Sequence, residues 1–211
     1  ASEAVGIDSE SLLFAQLQEY KIEIPILYPA DNTRYNDRRK ITSSLCNTIR
    51  ERMAAEMDGG ENCFCIDSKP IEVCRFFRSK RCGMGKKDFE KAPGRILCVI
   101  RAYYCGYKFH AFCGLSGVIH SFDLTKASVH DIHYLKDVKV DYSNPVFAKA
   151  RKRIEILFSQ LCDRFMIIRN YAKDTDGLFT RIVGKISALT ILQYINCKNG
   201  SPIGRVKYVL I

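Results

Sequence analysis

Apolar positions recur along this chain in two rhythms, one helical and one extended, and the change between them divides it. Ile41, Leu45, Ile49 and Met53 return every four residues. That spacing predicts a helix over about 38–57 with one packing stripe and outward-facing arginines, ending before Gly59-Gly60. Ser9 can cap an earlier helix over about 10–20, with Leu12, Leu13 and Leu17 as its apolar face. Pro25 and Pro29 interrupt the chain after that helix, and Asp31-Asn32-Thr33 reads as a turn.

Beyond the glycines the pattern shortens. Cys63-Phe64-Cys65-Ile66 is a continuous apolar run suited to a buried strand that stops at Asp67, and Pro70 separates it from Ile71–Cys74. Tyr103–Phe112 and Val118–Leu124 are rich in β-formers, and Gly114-Leu115-Ser116-Gly117 joins them as a hairpin. Thr125 or Ser128 can cap a short helix around 129–137, and 141–145 reads as a turn. A long helix is predicted over 147–162, with Ile154, Leu157, Phe158 and Leu161 on one side. Another spans 178–195, after a turn at Asp174-Thr175-Asp176-Gly177. Helices, then strands, then helices suit an α/β or α+β domain on a small mixed sheet.

Composition narrows the class. The 211 residues are 47% hydrophobic, which excludes a wholly disordered chain. No continuous apolar run reaches the roughly 20 residues of a membrane helix, and the N-terminus lacks a secretory pattern. A cytoplasmic protein with no membrane partner is expected. The net charge of +10 is segregated: residues 1–30 carry −4, 31–100 carry +5 and 151–211 carry +7. Such a distribution favours a polyanionic partner, nucleic acid first. The ten cysteines contain no C-x-x-C pair and look like free, buried thiols. His110-x-x-Cys113 and His130-x-x-His133 have metal-ligand spacing but no second pair nearby, so a structural zinc site is not expected.

Two acids stand out. Asp67, at the end of an apolar strand, is carried to the sheet edge on a rigid element, a position suited to metal binding or acid–base work. Taken alone, the commoner explanation for such a residue is a strand-ending Asp that accepts turn hydrogen bonds. Glu155 lies beside the apolar face of its helix, four residues after Arg151; it is either an acid directed at the sheet or half of a surface ion pair. Two such carboxylates could share divalent cations for phosphoryl transfer, but that chemistry normally needs a third acid.

The ordered blocks Cys65-Ile66-Asp67-Ser68-Lys69-Pro70-Ile71-Glu72-Val73-Cys74, Tyr107-Lys108-Phe109-His110, Gly117-Val118-Ile119 through Asp131, and Arg151-Lys152-Arg153-Ile154-Glu155 through Gln160-Leu161 resemble successive blocks of bacterial insertion-sequence transposases of the DDE type, specifically the IS-nine-eighty-two-like group. The resemblance covers about 60–211 well and 31–60 more loosely. It implies a ribonuclease-H-like core over 61–211 after a mostly helical segment, 1–60. It also implies a Mg²⁺ (or Mn²⁺) two-metal site and cleavage and joining of double-stranded DNA at element ends and target. A homo-oligomer is among the expected partners. By motif position Asp67 is the first catalytic acid and metal ligand, and Glu155 the last. Arg75, Arg78, Lys80, Arg81, Lys86, Lys87, Lys108, Arg151, Lys152 and Arg153 become candidates for DNA phosphate contacts through charge neutralisation.

One block is missing. The family carries a further strand ending in Gly-Asp-(Lys/Arg)-Gly-Tyr before the last helix, and this chain has no such motif; it passes at 142–146 directly into that helix. The core is therefore expected to lack one internal strand and the second catalytic Asp, and catalysis to be impaired. Asp123, Asp131 and Asp141 are the nearby acids, and none matches the motif by position. The alternative is a non-catalytic DNA-binding remnant that occupies element ends or inhibits an intact transposase.

Overall fold

The computed structural model describes residues 9–20, 22–23, 31–60, 63–84, 94–97, 103–129, 146–169, 171–206 and 209. The helix expected around 129–137 and the turn at 141–145 lie outside the described residues, apart from Val129. Among the described residues, five α-helices and a four-stranded antiparallel sheet make a mixed α/β fold, consistent with part of a ribonuclease-H-like transposase core. The helices are α1 (Glu10–Leu17), α2 (Asn32–Ile41), α3 (Ser43–Met57), α4 (Val146–Asp163) and α5 (Thr175–Lys198). The strands are β1 (Phe64–Arg75), β2 (Gly94–Leu97), β3 (Tyr103–Gly114) and β4 (Ile119–Lys126).

β3 is the spine of the sheet. β1 runs along one of its edges, while β2 and β4 lie end to end along the other, paired with 103–106 and 107–113. The expected hairpin joins β3 to β4: Gly117 takes φ +86° and donates its N–H to Gly114 O at 3.0 Å, a conformation that favours glycine. Directly opposed residues share a face of the sheet, so the rows Asp67–Ala111–Phe122 and Ser68–His110–Asp123 stand on opposite sides. The first side faces the core. There Ile71, Tyr107, Phe109 and Ala111 meet Ile154, Leu157, Phe158 and Leu161 of α4, together with Leu178, Ile182, Ile186 and Leu189 of α5. Each large apolar side chain among them contributes about 1.5–3 kcal/mol on burial. The Phe109 ring anchors the centre, 5.8 Å from Phe122 and 6.0 Å from Phe158 between centroids.

α5 is 24 residues long and, by length and composition alone, apolar enough to cross a membrane. Half of its apolar window is buried inside the protein, and its Lys185 donates to Met166 O at 2.7 Å, so it serves as the central core helix. Its first turn includes the Asp174–Gly177 segment expected to be a turn. Asp174 is the N-cap, accepting the Gly177 N–H at 2.6 Å and pairing with Lys40 at 3.0 Å.

Three expectations are corrected. Asp31-Asn32-Thr33 is no turn: the Asp31 carboxylate caps α2, accepting the Arg34 N–H at 2.8 Å, so the helix begins earlier than expected. The single helix over 38–57 is two, broken at Thr42, whose hydroxyl bonds back to Arg38 O at 2.8 Å. Its stripe is also inverted. Ile41, Leu45 and Ile49 are exposed, while Arg50, Ala54 and Met57 are buried. Arg50, 1% exposed, donates to Ile119 O at 2.7 Å and His120 O at 3.0 Å, and lies 5.3 Å above the Phe122 ring. Ala54 and Met57 join Val118 in a second small core, with Tyr194, Cys197 and Ile203 against it.

The third correction concerns β1, a single twelve-residue strand that passes through both Asp67 and Pro70. The Ser68 N–H donates to the Asp67 carboxylate at 2.8 Å, a side-chain acceptor in place of a ladder carbonyl. Pro70, two residues on, presents its nitrogen to the same side, so its missing N–H removes no bond from the ladder with β3.

Candidate functional site

Asp67 is therefore inside an edge strand, not at its end, and it stands exposed on the side to which α4 packs. Two thiols report how α4 lies. Cys65 is pushed up mainly by burial and next by the charge of Asp67, with Arg151 opposing and Glu155 adding. Cys162 is also pushed up by burial, while Lys69, hydrogen-bonded to it, acts the other way. Arg151–Glu155 thus lies beside Cys65, and Cys162 beside Lys69. α4 packs against β1, and Asp67, Arg151 and Glu155 all lie within electrostatic reach of Cys65.

The acids there are already engaged. One Asp67 oxygen accepts the Ser68 N–H, and Glu155 Oε1 accepts from Arg151 Nε at 3.2 Å on the exposed flank of α4. The i, i+4 ion pair is the modest kind, worth about 0.3–0.5 kcal/mol. Asp123 does not join them. It stands on the opposite side of the sheet, on β4, and accepts the Leu124 N–H at 2.7 Å. Asp131 and Asp141 lie outside the described residues. Among the described residues no group of three His, Cys, Asp or Glu side chains is arranged to hold a metal ion. Mg²⁺ takes six oxygen ligands in octahedral geometry, and two separate carboxylates do not supply a two-ion site.

His110 and Cys113, three apart on a strand, point to opposite sides of the sheet. His110 is buried and its Nε2 meets Thr125 Oγ1 at 2.8 Å. The nine described cysteines are free, as expected, but only Cys105 and Cys113 are fully buried, and Cys46 is exposed.

The basic candidates separate into groups. Arg75 ends β1, and Arg78, Lys80 and Arg81 are exposed on the 3-10 turn next to it, Phe76–Arg81. The Arg78 guanidinium lies 5.7 Å from the Phe77 ring centroid. Lys86 and Lys87 lie outside the described residues. Lys108 is on the far side of the sheet from Asp67, with its ammonium donating to Val129 O at 2.9 Å. Arg151 and Lys152 are exposed on α4, whereas Arg153 is half-buried, its Nε donating to Leu115 O at 3.0 Å.

Arg153 belongs instead to a cleft of ≈720 Å³ on the other flank of α4, shared with Arg164 and Arg205. Neither partner stands out in the sequence. Arg164 falls on the Arg153 stripe at helical spacing, a signal that could have found it, but only tertiary folding brings Arg205 to it.

Residues 58–148 match the family model described as the transposase DDE domain. The match spans less than half of the chain; it contains Asp67 and stops before Glu155. It supports a transposase of the DDE type. No curated protein and no solved structure matches the chain.

Proposed function

We propose that this chain is a DDE-type transposase of the IS-nine-eighty-two-like insertion-sequence group that holds double-stranded DNA but is impaired in cutting and joining it. The observation that carries the reading is the transposase-domain match around Asp67. The packing of α4, which sets Glu155 beside the strand that bears Asp67, adds to it. In this reading residues 1–60 form a helical appendage and 61–211 the catalytic unit, with a cytoplasmic location.

The family implies a divalent metal, Mg²⁺ or Mn²⁺, and Asp67 and Glu155 are the acids that would hold it. As a donor set they fall short of two ions, and no cleavage step can be derived from them. DNA backbone is assigned to Arg75, Arg78, Lys80 and Arg81 with Lys86 and Lys87, and to Arg151 and Lys152 on α4. Each phosphate contact releases counterions, which makes binding fall steeply with salt. Lys108, its ammonium donating to Val129 O, is a weaker member of that set, and Arg153 faces the other flank of α4 from Arg151.

A second reading is a non-catalytic remnant that occupies element ends or inhibits an intact transposase, alone or as an oligomer. The shortage of metal donors among the described residues favours it. One experiment separates the two: labelled duplex DNA is titrated at several salt concentrations, and supercoiled plasmid is incubated with protein and Mg²⁺ or Mn²⁺. Salt-sensitive binding with slow, metal-dependent nicking supports the first reading. Binding without nicking supports the second, and absence of binding refutes both.

A further inference from the structure

The cleft beside α4 has a chemistry of its own. Arg153, Ile156, Gln160 and Arg164 succeed one another at spacings of three and four, so they form one stripe of the helix. Arg151, Glu155 and Cys162 lie on the opposite flank, separated from it by the width of the helix, about 10 Å. The facing wall is the segment after α5, where Pro202, Ile203 and Arg205 reach the same space. That wall is held in place. Gln160 Nε2 donates to Gly204 O at 2.7 Å, Arg205 N–H to Pro202 O at 3.0 Å, and Asn196 Nδ2 to Pro202 O at 3.3 Å.

Arg153, Arg164 and Arg205 thus all line one concave space, and among the described residues no carboxylate lines it. Arg153 is pre-positioned by its bond to Leu115 O. Gly204 leaves room for its Nη1, since a Cβ at 204 would stand only 3.0 Å from that atom. Arg164 is exposed, and its guanidinium makes no hydrogen bond or ion pair among the described residues. Guanidiniums match phosphate oxygens in forked pairs, so several of them around one hollow favour a phosphate over a neutral ligand. Beside them Ile156, Pro202 and Ile203 offer apolar surface for a flat ring. The volume is in the range of pockets that take small organic ligands.

We propose that this cleft binds a nucleotide unit, with the phosphate between Arg153, Arg164 and Arg205 and the base against Ile156, Pro202 and Ile203. The unit comes either from a free mononucleotide or from the end of a DNA strand. The proposal uses neither Asp67 nor Glu155 and shares only Arg153 with the DNA-contact set of the transposase reading, so its failure leaves that reading's metal site untouched.

The test uses the full chain with three probes at physiological salt: inorganic phosphate, adenosine monophosphate, and a fluorescein-labelled single-stranded 12-mer. The variant Arg164→Gln/Arg205→Gln removes two exposed charges from the cleft. Arg52→Gln/Lys173→Gln removes two exposed charges elsewhere, and circular dichroism checks both folds. Expected are tighter binding of the nucleotide probes than of inorganic phosphate, at least a tenfold loss in the cleft variant, and less than a twofold loss in the control. Displacement of the 12-mer by adenosine monophosphate identifies a free nucleotide as sufficient; binding of the 12-mer alone identifies a strand end. Equal losses in both variants, unchanged binding in the cleft variant, or no binding of either nucleotide probe overturns the proposal. None of these results bears on metal-dependent nicking, which reads Asp67.

Discussion

Replacing Arg50 tests the least expected feature of the fold, a buried arginine where the spacing predicts an apolar stripe. Arg50→Met keeps most of the side-chain volume but removes the guanidinium that joins α3 to the start of β4. The two bonds that cross to β4 are lost, to Ile119 O at 2.7 Å and His120 O at 3.0 Å, together with the contact over Phe122 and the bonds within α3 to Asn47 Oδ1 and Glu51 Oε1. Hydrogen bonds from a charged donor contribute about 1.5–3 kcal/mol each. Removing one partner of a buried polar set also strands the other, so about 3–5 kcal/mol is expected. Burial lowers the guanidinium pKa, with Glu51 opposing, yet an arginine stays charged throughout the accessible range. Urea unfolding monitored by far-ultraviolet circular dichroism reads the loss as a midpoint lowered by about 1–2 M at the slopes usual for this size. Arg50→Lys, which can reach one carbonyl, should lose about half as much. A loss below about 1 kcal/mol for Arg50→Met would show that α3 docks without this bond network.

Other perturbations have definite outcomes. Gly106→Ala places a Cβ against the Ile71 carbonyl oxygen across the β1–β3 pairing, and should destabilise by at least about 3 kcal/mol, measured in the same unfolding assay. Asp174 is held below its ordinary value of 3.8, first by the Gly177 N–H and then by Lys40. Its stabilising effect is therefore complete above pH 3.8 and fades as the pH falls through the lower folded value. Asp174→Asn should flatten that acid limb of the thermal unfolding curve, and Asp174→Ala should cost about 1 kcal/mol at neutral pH as a lost cap. The Cys74 thiol is pushed up to about 12, by burial and then by Cys82 and Cys105. In timed alkylation with iodoacetamide at pH 8, read by peptide mass spectrometry, exposed Cys46 should be modified at least tenfold faster than Cys74.

The elements readable from sequence are those whose pattern and packing agree. In α4 the positions Ile154, Leu157, Phe158 and Leu161 read as one face and do form the core. The β3–β4 hairpin is legible from glycines at a turn that requires a positive φ. α3 is not, because a four-residue spacing drifts about 40° per step around a helix, and because Thr42 divides the stripe. What docks α3 is a small residue, Ala54, that permits close approach, and a long one, Arg50, that reaches carbonyls left open on β4. Pro70 resembles a break because the sequence does not reveal that its nitrogen faces away from β3. At the candidate site, an ordered resemblance points to Asp67 and Glu155, and the chain brings them to one neighbourhood through α4. The arginine cleft is not legible, because Arg205 reaches Arg153 only after α5 has returned the chain to α4.

Plasmid nicking reads most directly whether the proposed transposase site is short of an acid. Supercoiled DNA is incubated with the full chain and with Asp67→Asn, each with Mg²⁺, with Mn²⁺ and with chelator, at a protein concentration that saturates DNA binding. DNA binding is expected, with nicking slow or indistinguishable from that of Asp67→Asn. Rapid metal-dependent nicking by the natural chain, abolished in Asp67→Asn, would refute the impairment and show that the site is complete.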